Sequence, residues 1–335
     1  MIISTQVHAR AGLLGNPSDM YRGKVISFLI QEFDASVRLW ESPTLTFRLH
    51  PQHDRNEFED LADLVRSVER HGYYGMQRIL FATCVRFAQY SAERGLKLRR
   101  ANFTLEYQTN IPRQSGLGGS SAMIIAALRA LQKFHRIPQS KLPPRELAEL
   151  ALSVETQELG IAAGLQDRVV QSYDGLTYMD FSGERPVYTR LNANCLPRFG
   201  LAYLAEQHLG TLESGRVHSP IRYRWEQGDP EVIRTMRELG RLADKGREAL
   251  AKGDQKALGR LMNRNFELRR ALYGDDSVGN HNLELVEIAR DLGFAAKLPG
   301  SSGAALILFD DLGKEQALSE AYAAKGYRYQ TITGF

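Results

Sequence analysis

Apolar and polar side chains alternate along much of the first 50 residues, the pattern of strands that bury one face. Residues 25–30 and 35–40 are two largely apolar segments separated by a short polar break, and residues 44–49 alternate more strictly. We therefore expect the chain to begin mainly as β-structure, with a separate strand for each of these segments.

Several later segments carry apolar residues at three- and four-residue spacing, which predicts amphipathic helices. Pro144 lies at the start of one such segment, and Gly95 and Gly160 follow the ends of two, as helix boundaries require. The predicted helices span residues 74–94, 122–134, 144–159, 230–252, 255–273 and 283–292. Further strands are predicted at residues 103–107 and 304–309.

The order of these elements indicates the fold class. Strands and helices alternate irregularly and the helices are grouped, which favours an α+β fold over a doubly wound sheet. A loop near residue 195 separates the two halves, so we expect one domain over residues 1–195 and a second over residues 196–335.

The composition is that of a globular protein, with 43% hydrophobic and 24% charged residues. The 43 Lys and Arg exceed the 39 Asp and Glu by four, and the basic residues are dispersed, so we expect no nucleic-acid partner. The apolar runs are too short to span a bilayer, and the pattern of the first residues leads us to expect no secretory leader. Two cysteines exclude a disulfide framework and a CxxC zinc site. We expect a cytoplasmic protein that has no membrane contact.

A glycine-rich segment at residues 111–122, IPRQSGLGGSSA, carries the clearest local chemistry. Glycines allow consecutive N–H groups to point at one anion, and the predicted helix that follows adds its positive N-terminal dipole. No lysine follows the glycines as in a Walker A loop, and Ser121 occupies the place of the third glycine in a dinucleotide fingerprint. A phosphate site and a simple strand-to-helix turn with a serine cap are both compatible with the segment alone.

Two further segments resemble motifs of a known family when they are combined with this loop. Residues 9–19 read ARAGLLGNPSD and residues 297–305 read KLPGSSGAA. The three segments, in this order, resemble the three motifs of the GHMP kinases, which include galactokinase, homoserine kinase, mevalonate kinase and phosphomevalonate kinase. The segments GLLGNPSD, HGYYG, NFTLEYQTNIPRQSGLGGSSA, ELGIAAGLQDRV, GRVHS with RYRW, and LMNRNFELRR are similar to the glucuronokinase branch.

Two features of these segments qualify the resemblance, which covers residues 8 to 309. Pro299 and Ser302 depart from the family's third motif, which typically has a threonine before the first glycine and more glycine after it. Asn16 and Pro17 replace the acidic residue and histidine of galactokinase-type members, as they do in the glucuronokinase branch. The second feature disfavours galactose as the substrate.

The resemblance implies a fold and an activity. The fold would have an N-terminal domain similar to a ribosomal-protein α/β module and a ferredoxin-like C-terminal domain. The activity would be ATP-dependent and Mg²⁺-dependent phosphorylation of D-glucuronate at its anomeric hydroxyl, so the partners would be ATP and a small sugar acid. Another uronic acid such as galacturonate, another sugar, a mevalonate-like acid and a non-catalytic kinase-like sugar sensor remain alternatives.

The resemblance also implies roles for individual residues. Asp167 would be the base, Arg10 would lie near the transferred phosphoryl group, and Ser121 and Glu155 would hold Mg²⁺. The joint presence of Glu155 and Asp167 argues against a non-catalytic sensor. The implied nucleotide-binding residues are Pro112, Gly116, Leu117, Gly118, Gly119, Ser120, Ser121 and Ala122. The implied substrate-binding residues are Asp19, Asn16 and Gly303, and Arg168 and Arg222 are the candidates to bind the sugar carboxylate. On the residues alone, Glu155 could be a solvated helical acid and Asp167 an ion-pair partner of Arg168.

Overall fold

The computed structural model describes residues 2–50, 77–204, 214–309 and 312–334, and all structural statements refer to these ranges. The HGYYG segment and the first residues of the predicted helix 74–94 lie outside them. The strands of the first sheet are β1 (Ile2–Leu14), β2 (Lys24–Ser42), β3 (Thr46–Phe47), β4 (Asn102–Thr109), β5 (Thr177–Asp180) and β6 (Val187–Arg190).

The centre of this sheet is the long antiparallel pair of β1 and β2. Strand β2 also pairs with β4 along its second half and with β5 along its first, both antiparallel. The sheet is completed by β3, which is parallel to β4, and by β6, which is antiparallel to β5.

The two predicted strands at 25–30 and 35–40 are in fact one strand, β2. The polar break between them is a bulge, because Ala9 pairs with Ile30 whereas the preceding residue His8 pairs with Asp34. Residues near the end of the chain stabilise this bulge, since the N–H groups of Thr333 and Gly334 donate to Glu32 Oε1 at 2.7 and 3.1 Å. The predicted strand at 44–49 is reduced to the two residues of β3.

The helices of the first half are α1 (Gln77–Glu93), α2 (Gly119–Phe134), α3 (Pro144–Ser153) and α4 (Gln166–Tyr173). Helix α2 is apolar and almost wholly buried, and the Thr5 hydroxyl of β1 donates to its Ala126 carbonyl at 2.7 Å. A π-helical turn, Val154–Glu158, continues α3 where a longer α-helix was predicted. The buried α2 fixes the position of the glycine-rich loop before it.

The second half contains a four-stranded antiparallel sheet and long helices. Its strands are β7 (Phe199–Leu204), β8 (Ala295–Lys297), β9 (Ala304–Leu308) and β10 (Tyr327–Ile332), in the order β10-β7-β9-β8. Its helices are α5 (Ser214–Glu226), α6 (Pro230–Lys252), α7 (Gln255–Tyr273), α8 (Asp275–Val278), α9 (Asn280–Asp291) and α10 (Glu315–Ala324). Helices α6 and α7 have the predicted bounds, whereas α10 and β10 were not predicted.

The two sheets share a continuous apolar core. Phe28 of the first sheet stacks on Phe199 of the second with ring centroids 5.1 Å apart. The first sheet ends at Arg190 and the second begins at Phe199, on either side of the boundary expected near residue 195, which stays a prediction. None of the helices in the described ranges combines the length and apolarity that crossing a membrane requires.

Candidate functional site

The three glycine-containing segments, residues 9–19, 111–122 and 297–305, meet with their backbones in direct contact. A Cβ on Gly300 would lie 1.9 Å from the Gly116 carbonyl oxygen, and a Cβ on Gly303 would lie 2.2 Å from the Gln114 carbonyl oxygen. The first segment joins them, because the Gly12 N–H donates to the Pro299 carbonyl at 2.8 Å. Side chains larger than hydrogen cannot fit at these contacts, which explains the glycines.

Arg10 connects these segments to the predicted base. Its Nε and Nη2 atoms donate to the two carboxylate oxygens of Asp167 at 2.6 and 2.8 Å, a bidentate ion pair. Its Nη1 atom donates to the carbonyls of Gly116 and Pro299 at 2.5 and 3.1 Å. Since Arg10 is 6% exposed, one buried guanidinium holds both later glycine loops and the Asp167 carboxylate in a single arrangement.

The loop before α2 has the geometry of an anion site. Gly116 and Gly118 have φ angles of 64° and 71°, whereas Gly119 begins the helix and has no left-handed φ. Within the described ranges, the N–H groups of Gly119, Ser120 and Ser121 form no hydrogen bond with a protein atom. Three unpaired donors at the positive end of a 16-residue helix are an arrangement that favours the binding of phosphate oxygens.

The other predicted nucleotide-binding residues lie in and around this loop, where they shape it. The Leu117 carbonyl accepts the Arg10 N–H at 3.0 Å, and the Pro112 carbonyl accepts the Ser115 hydroxyl at 2.6 Å. The Ala122 N–H donates to the Gly118 carbonyl at 3.0 Å, the first bond of the helical ladder. These bonds hold the loop in shape.

Glu155 and Ser120 lie together beside this loop. The Ser120 hydroxyl donates to Glu155 Oε1 at 2.9 Å, and Arg168 Nη2 forms a buried ion pair with Oε2. The Ser121 hydroxyl instead donates to the Gly118 carbonyl at 2.9 Å. The structure therefore brings Ser120, and not the expected Ser121, to Glu155, because successive residues of a helix face directions about 100° apart.

The oxygen atoms of Ser120 and Glu155 suit a magnesium ion. Mg²⁺ prefers hard oxygen ligands and is commonly held by one or two protein groups together with substrate phosphates and water. In the described ranges no group of three or more His, Cys, Asp or Glu residues is placed to hold a metal without such help. The donor set is compatible with a magnesium ion that arrives with a nucleotide.

The two arginines that were candidates for the sugar carboxylate are in very different surroundings. Arg168 is 5% exposed and already pairs with Glu155, and its Nη1 lies 3.7 Å from Asp167. Burial, reinforced by the Arg10 cation, lowers the pKa of Arg168 to about 9. Arg222 lies on the surface of α5 and pairs with Glu226 at 3.3 Å.

Asp19 lies close to the candidate base. Its Oδ2 is 2.4 Å from the position that a Cβ on Gly164 would take, so this glycine makes room for the carboxyl group. Burial, together with the nearby Asp167 carboxylate, raises the pKa of Asp19 to about 7, against the opposing effect of Arg10. Asp19 is therefore able to exchange a proton near neutral pH.

Asn16 and Gly303, which were expected on the substrate side, have structural partners instead. Asn16 is buried, and its Oδ1 accepts from Lys297 Nζ at 2.7 Å. The Gly303 N–H donates to Asn282 Oδ1 at 2.7 Å. Both residues support the loop at residues 298–303.

Two buried cations beside that loop, Lys297 and Arg269, were not singled out in the sequence. Lys297 stands in the third motif directly after two apolar residues, and Arg269 is one of two adjacent arginines in LMNRNFELRR. Nearby, His218 Nδ1 lies 2.8 Å from the Tyr273 hydroxyl, and burial with the Arg269 cation lowers the pKa of His218 to about 3. His218 is therefore neutral at physiological pH.

The chain matches known proteins over most of its length. The model described as GHMP kinases N terminal domain matches residues 80–175, and the one described as GHMP kinases C terminal matches residues 247–328. The probable glucuronokinase 2 of Arabidopsis thaliana is 47% identical over 307 residues, which are 89% of this chain and 82% of the relative. Glucuronokinase 1 of the same plant is 43% identical over 97% of this chain and 90% of the relative. A crystal structure of a mevalonate kinase has a TM-score of 0.72 and 19% identity over 98% of each chain, which shows the fold alone.

The contact between the two glycine loops generates a first prediction. Gly300→Ala should destabilise the protein by about 2 kcal/mol or more and weaken Mg-ATP binding, because its methyl group would collide with the Gly116 backbone. Calorimetric titration and thermal melting measure both effects. Gly183→Ala is the control, because a Cβ there would be 3.6 Å from the Arg185 carbonyl oxygen, an ordinary contact, and near-normal affinity is expected. Unchanged ATP affinity in Gly300→Ala would show that the loop contact does not shape the site.

The raised pKa of Asp19 predicts a pH dependence of stability. The folded protein keeps this proton up to about pH 7, whereas an unfolded aspartate loses it near 3.8, so the free energy of unfolding falls as pH rises through that window. Asp19→Asn removes this loss and should be more stable, relative to the wild type, at pH 8 than at pH 5. Urea unfolding of both proteins at the two pH values tests this. If the free energies of unfolding of the variant and the wild type differ by the same amount at both pH values, the pKa of Asp19 is not raised.

Proposed function

Because the chain belongs to the glucuronokinases of the GHMP kinase family, we propose that it transfers the γ-phosphoryl group of ATP to the anomeric hydroxyl of D-glucuronate. The family membership and the α+β GHMP kinase fold were both predicted from the sequence and are confirmed. The observation that carries the proposal is the Asp167 carboxylate, which Arg10 holds against both glycine loops. A base and a phosphate site are thereby adjacent, as phosphoryl transfer to a hydroxyl requires.

The phosphates of ATP bind at the start of α2. The unpaired N–H groups of Gly119, Ser120 and Ser121 donate to phosphate oxygens, and the helix dipole favours their negative charge. Such donors are already oriented before the reaction, so they stabilise charge that develops on the phosphoryl oxygens.

Asp167 accepts the proton of the sugar hydroxyl. Its bidentate pair with Arg10 fixes the direction of the carboxylate, and Arg168 lies 3.7 Å away as a second cation. The carboxylate side chain is 18% exposed, so an acceptor hydroxyl has access to it. Arg10, beside both loops, balances the charge of the phosphoryl group next to the base.

Ser120 and Glu155 would hold Mg²⁺ through a hydroxyl and a carboxylate oxygen. A magnesium ion bound there would neutralise negative charge on the β- and γ-phosphate oxygens. Arg168 orients Glu155 from the opposite side, so the role expected of Arg168 in binding the sugar carboxylate is better assigned elsewhere.

Arg222 is the remaining sequence-derived candidate for the uronate carboxylate. Burial raises the pKa of Tyr21 to about 12, and the positive charge of the Arg222 guanidinium opposes this rise. Tyr21 is two residues from Asp19 and makes an edge contact with Trp225 of α5, with ring centroids 5.3 Å apart. Arg222 is on the same helix as Trp225, which connects α5 to the segment that contains Asp19, and it forms an ion pair with the exposed Glu226, which a bound carboxylate would replace.

An acceptor panel tests the proposed reaction. ADP release should give the highest kcat/KM with D-glucuronate, compared with D-galacturonate, D-glucose and mevalonate, and phosphorus NMR should identify a 1-phosphate. Arg222→Met should lower the ratio of the kcat/KM for glucuronate to the kcat/KM for glucose. A higher kcat/KM with another acceptor would reassign the substrate, and binding of sugar and ATP without turnover would establish a sensor.

The proposed base predicts a defect in kcat. Asp167→Asn should lower kcat by about 10²–10⁴, the usual effect of losing a general base, with little change in the KM for ATP. Asp174→Asn is a matched control, because Asp174 follows the same helix, is exposed and pairs with Arg129. Near-normal turnover of a folded Asp167→Asn enzyme would remove this residue from the mechanism.

A further inference from the structure

Four consecutive carbonyl groups of the loop after β8 are all held by buried cations. Lys297 Nζ donates to the Leu298 carbonyl at 2.8 Å, and Arg10 Nη1 donates to the Pro299 carbonyl at 3.1 Å. The two Nη atoms of Arg269 donate to the carbonyls of Gly300 and Ser301. The backbone oxygens of residues 298–301 therefore all point toward positive side chains.

Peptide geometry gives this arrangement a consequence on the other side of the loop. In a planar trans peptide the C=O of one residue and the N–H of the next point in opposite directions. Turning these carbonyls toward the cations turns the N–H groups of Gly300, Ser301 and Ser302 away from them. The first peptide of the series ends at Pro299, which has no N–H to turn.

These three N–H groups are available to a ligand. None of them donates to a protein atom in the described parts of the chain. The Ser301 nitrogen is 3.0 Å from the position that a Cβ on Gly116 would take, so the group lies directly beside the phosphate loop. Successive N–H groups that face one space form an anion-binding nest.

The cations behind the loop are not neutralised by acids. Every hydrogen bond of Lys297 and Arg269 within the described residues goes to a neutral oxygen, and Arg269 Nε has no partner. Lys297 donates to three acceptors, which matches the three hydrogens of an ammonium group. Burial, with the nearby Arg269 and Arg10 cations, lowers the pKa of Lys297. An anion on the far side of the loop would relieve this excess of positive charge.

We propose that Arg269 and Lys297 are positioning residues that turn the loop at residues 298–302 so that the N–H groups of Gly300, Ser301 and Ser302 bind oxygens of the transferred phosphoryl group. Arg10 touches the same loop and the base Asp167, which places the nest at the γ-phosphate end of ATP. The inference rests on the proposed function only in requiring ATP as the phosphoryl donor.

Arg269 offers the sharper test, because its neighbour Arg270 is a matched control. Arg270 is half-buried on the same helix, with 38% of its side chain exposed, and pairs with Asp275 at 2.6 Å. Calorimetry without sugar would measure the binding of Mg-ADP and of a non-hydrolysable Mg-ATP analogue to Arg269→Met, Arg269→Lys and Arg270→Met, alongside the melting temperature of each unliganded protein.

The expected result is a selective loss of the γ-phosphate contribution. Arg269→Met should bind the ATP analogue about tenfold or more weakly, the range for losing hydrogen bonds to a charged group, and bind ADP within about threefold of the wild type. Arg269→Lys should be intermediate, since one ammonium group replaces a guanidinium that spans two carbonyls. Arg270→Met should match the wild type with both nucleotides.

Other outcomes would overturn the proposal. Equal weakening of ADP and the ATP analogue would mean that Arg269 only supports the fold, and unchanged affinity for both would mean that the loop does not contact phosphate. If Arg269→Met does not fold, the analogue-to-ADP affinity ratio of Arg269→Lys decides. A wild-type protein that binds both nucleotides with the expected preference but phosphorylates none of the sugars would refute the proposed function and leave this inference standing.

Discussion

The arrangement of the site depends on one buried guanidinium. Arg10 joins segments that are far apart in the chain, since its partners Gly116, Asp167 and Pro299 lie 106, 157 and 289 residues away. A buried charge is costly unless it is paired and hydrogen-bonded. The bidentate Asp167 pair and the two carbonyls use four of its five N–H groups, so the ion pair that orients the proposed base also holds the two glycine loops together. The contacts of Arg10 that would orient the proposed base are therefore also contacts that pack the loops of the two halves against each other.

The glycine loops could be recognised in the sequence because a close backbone contact restricts each position in it to one residue type. Where one backbone passes within contact distance of another, only glycine fits, and Gly116 and Gly300 are such a pair. The long helices were predictable for a similar reason. The boundaries of α6 are encoded locally: Asp229 accepts the Glu231 N–H at 2.9 Å, Pro230 begins the helix, and Gly253 ends it with a φ of 65°.

Features that depend on distant contacts or on helix phase could not be predicted in this way. The bulge in the continuous strand β2 is bound by the N–H groups of Thr333 and Gly334, about 300 residues later. Ser120 and Ser121 are identical in type, and only the start of α2 at Gly119 decides which hydroxyl meets Glu155. Arg269 and Arg270 likewise differ only by rotation about α7, yet the first is buried against the loop and the second keeps 38% of its side chain exposed. The sequence shows that these residues are present, but it does not show which face of the helix each one lies on.

The distribution of charge explains why so weakly basic a protein suits a polyanionic substrate. Its excess of basic residues is small over the whole chain, but four buried cations converge at the glycine loops: Arg10, Arg168, Arg269 and Lys297. The carboxyl groups near them are Asp167, Glu155 and Asp19, and Asp19 has a pKa of about 7, so it is only partly ionised at neutral pH. The site therefore carries more positive than negative charge in the protein interior, where charges interact more strongly than they do in water. In the proposed reaction the phosphates of ATP would supply the negative charge that the protein lacks, so the nucleotide would be a counter-ion of the site as well as the phosphoryl donor.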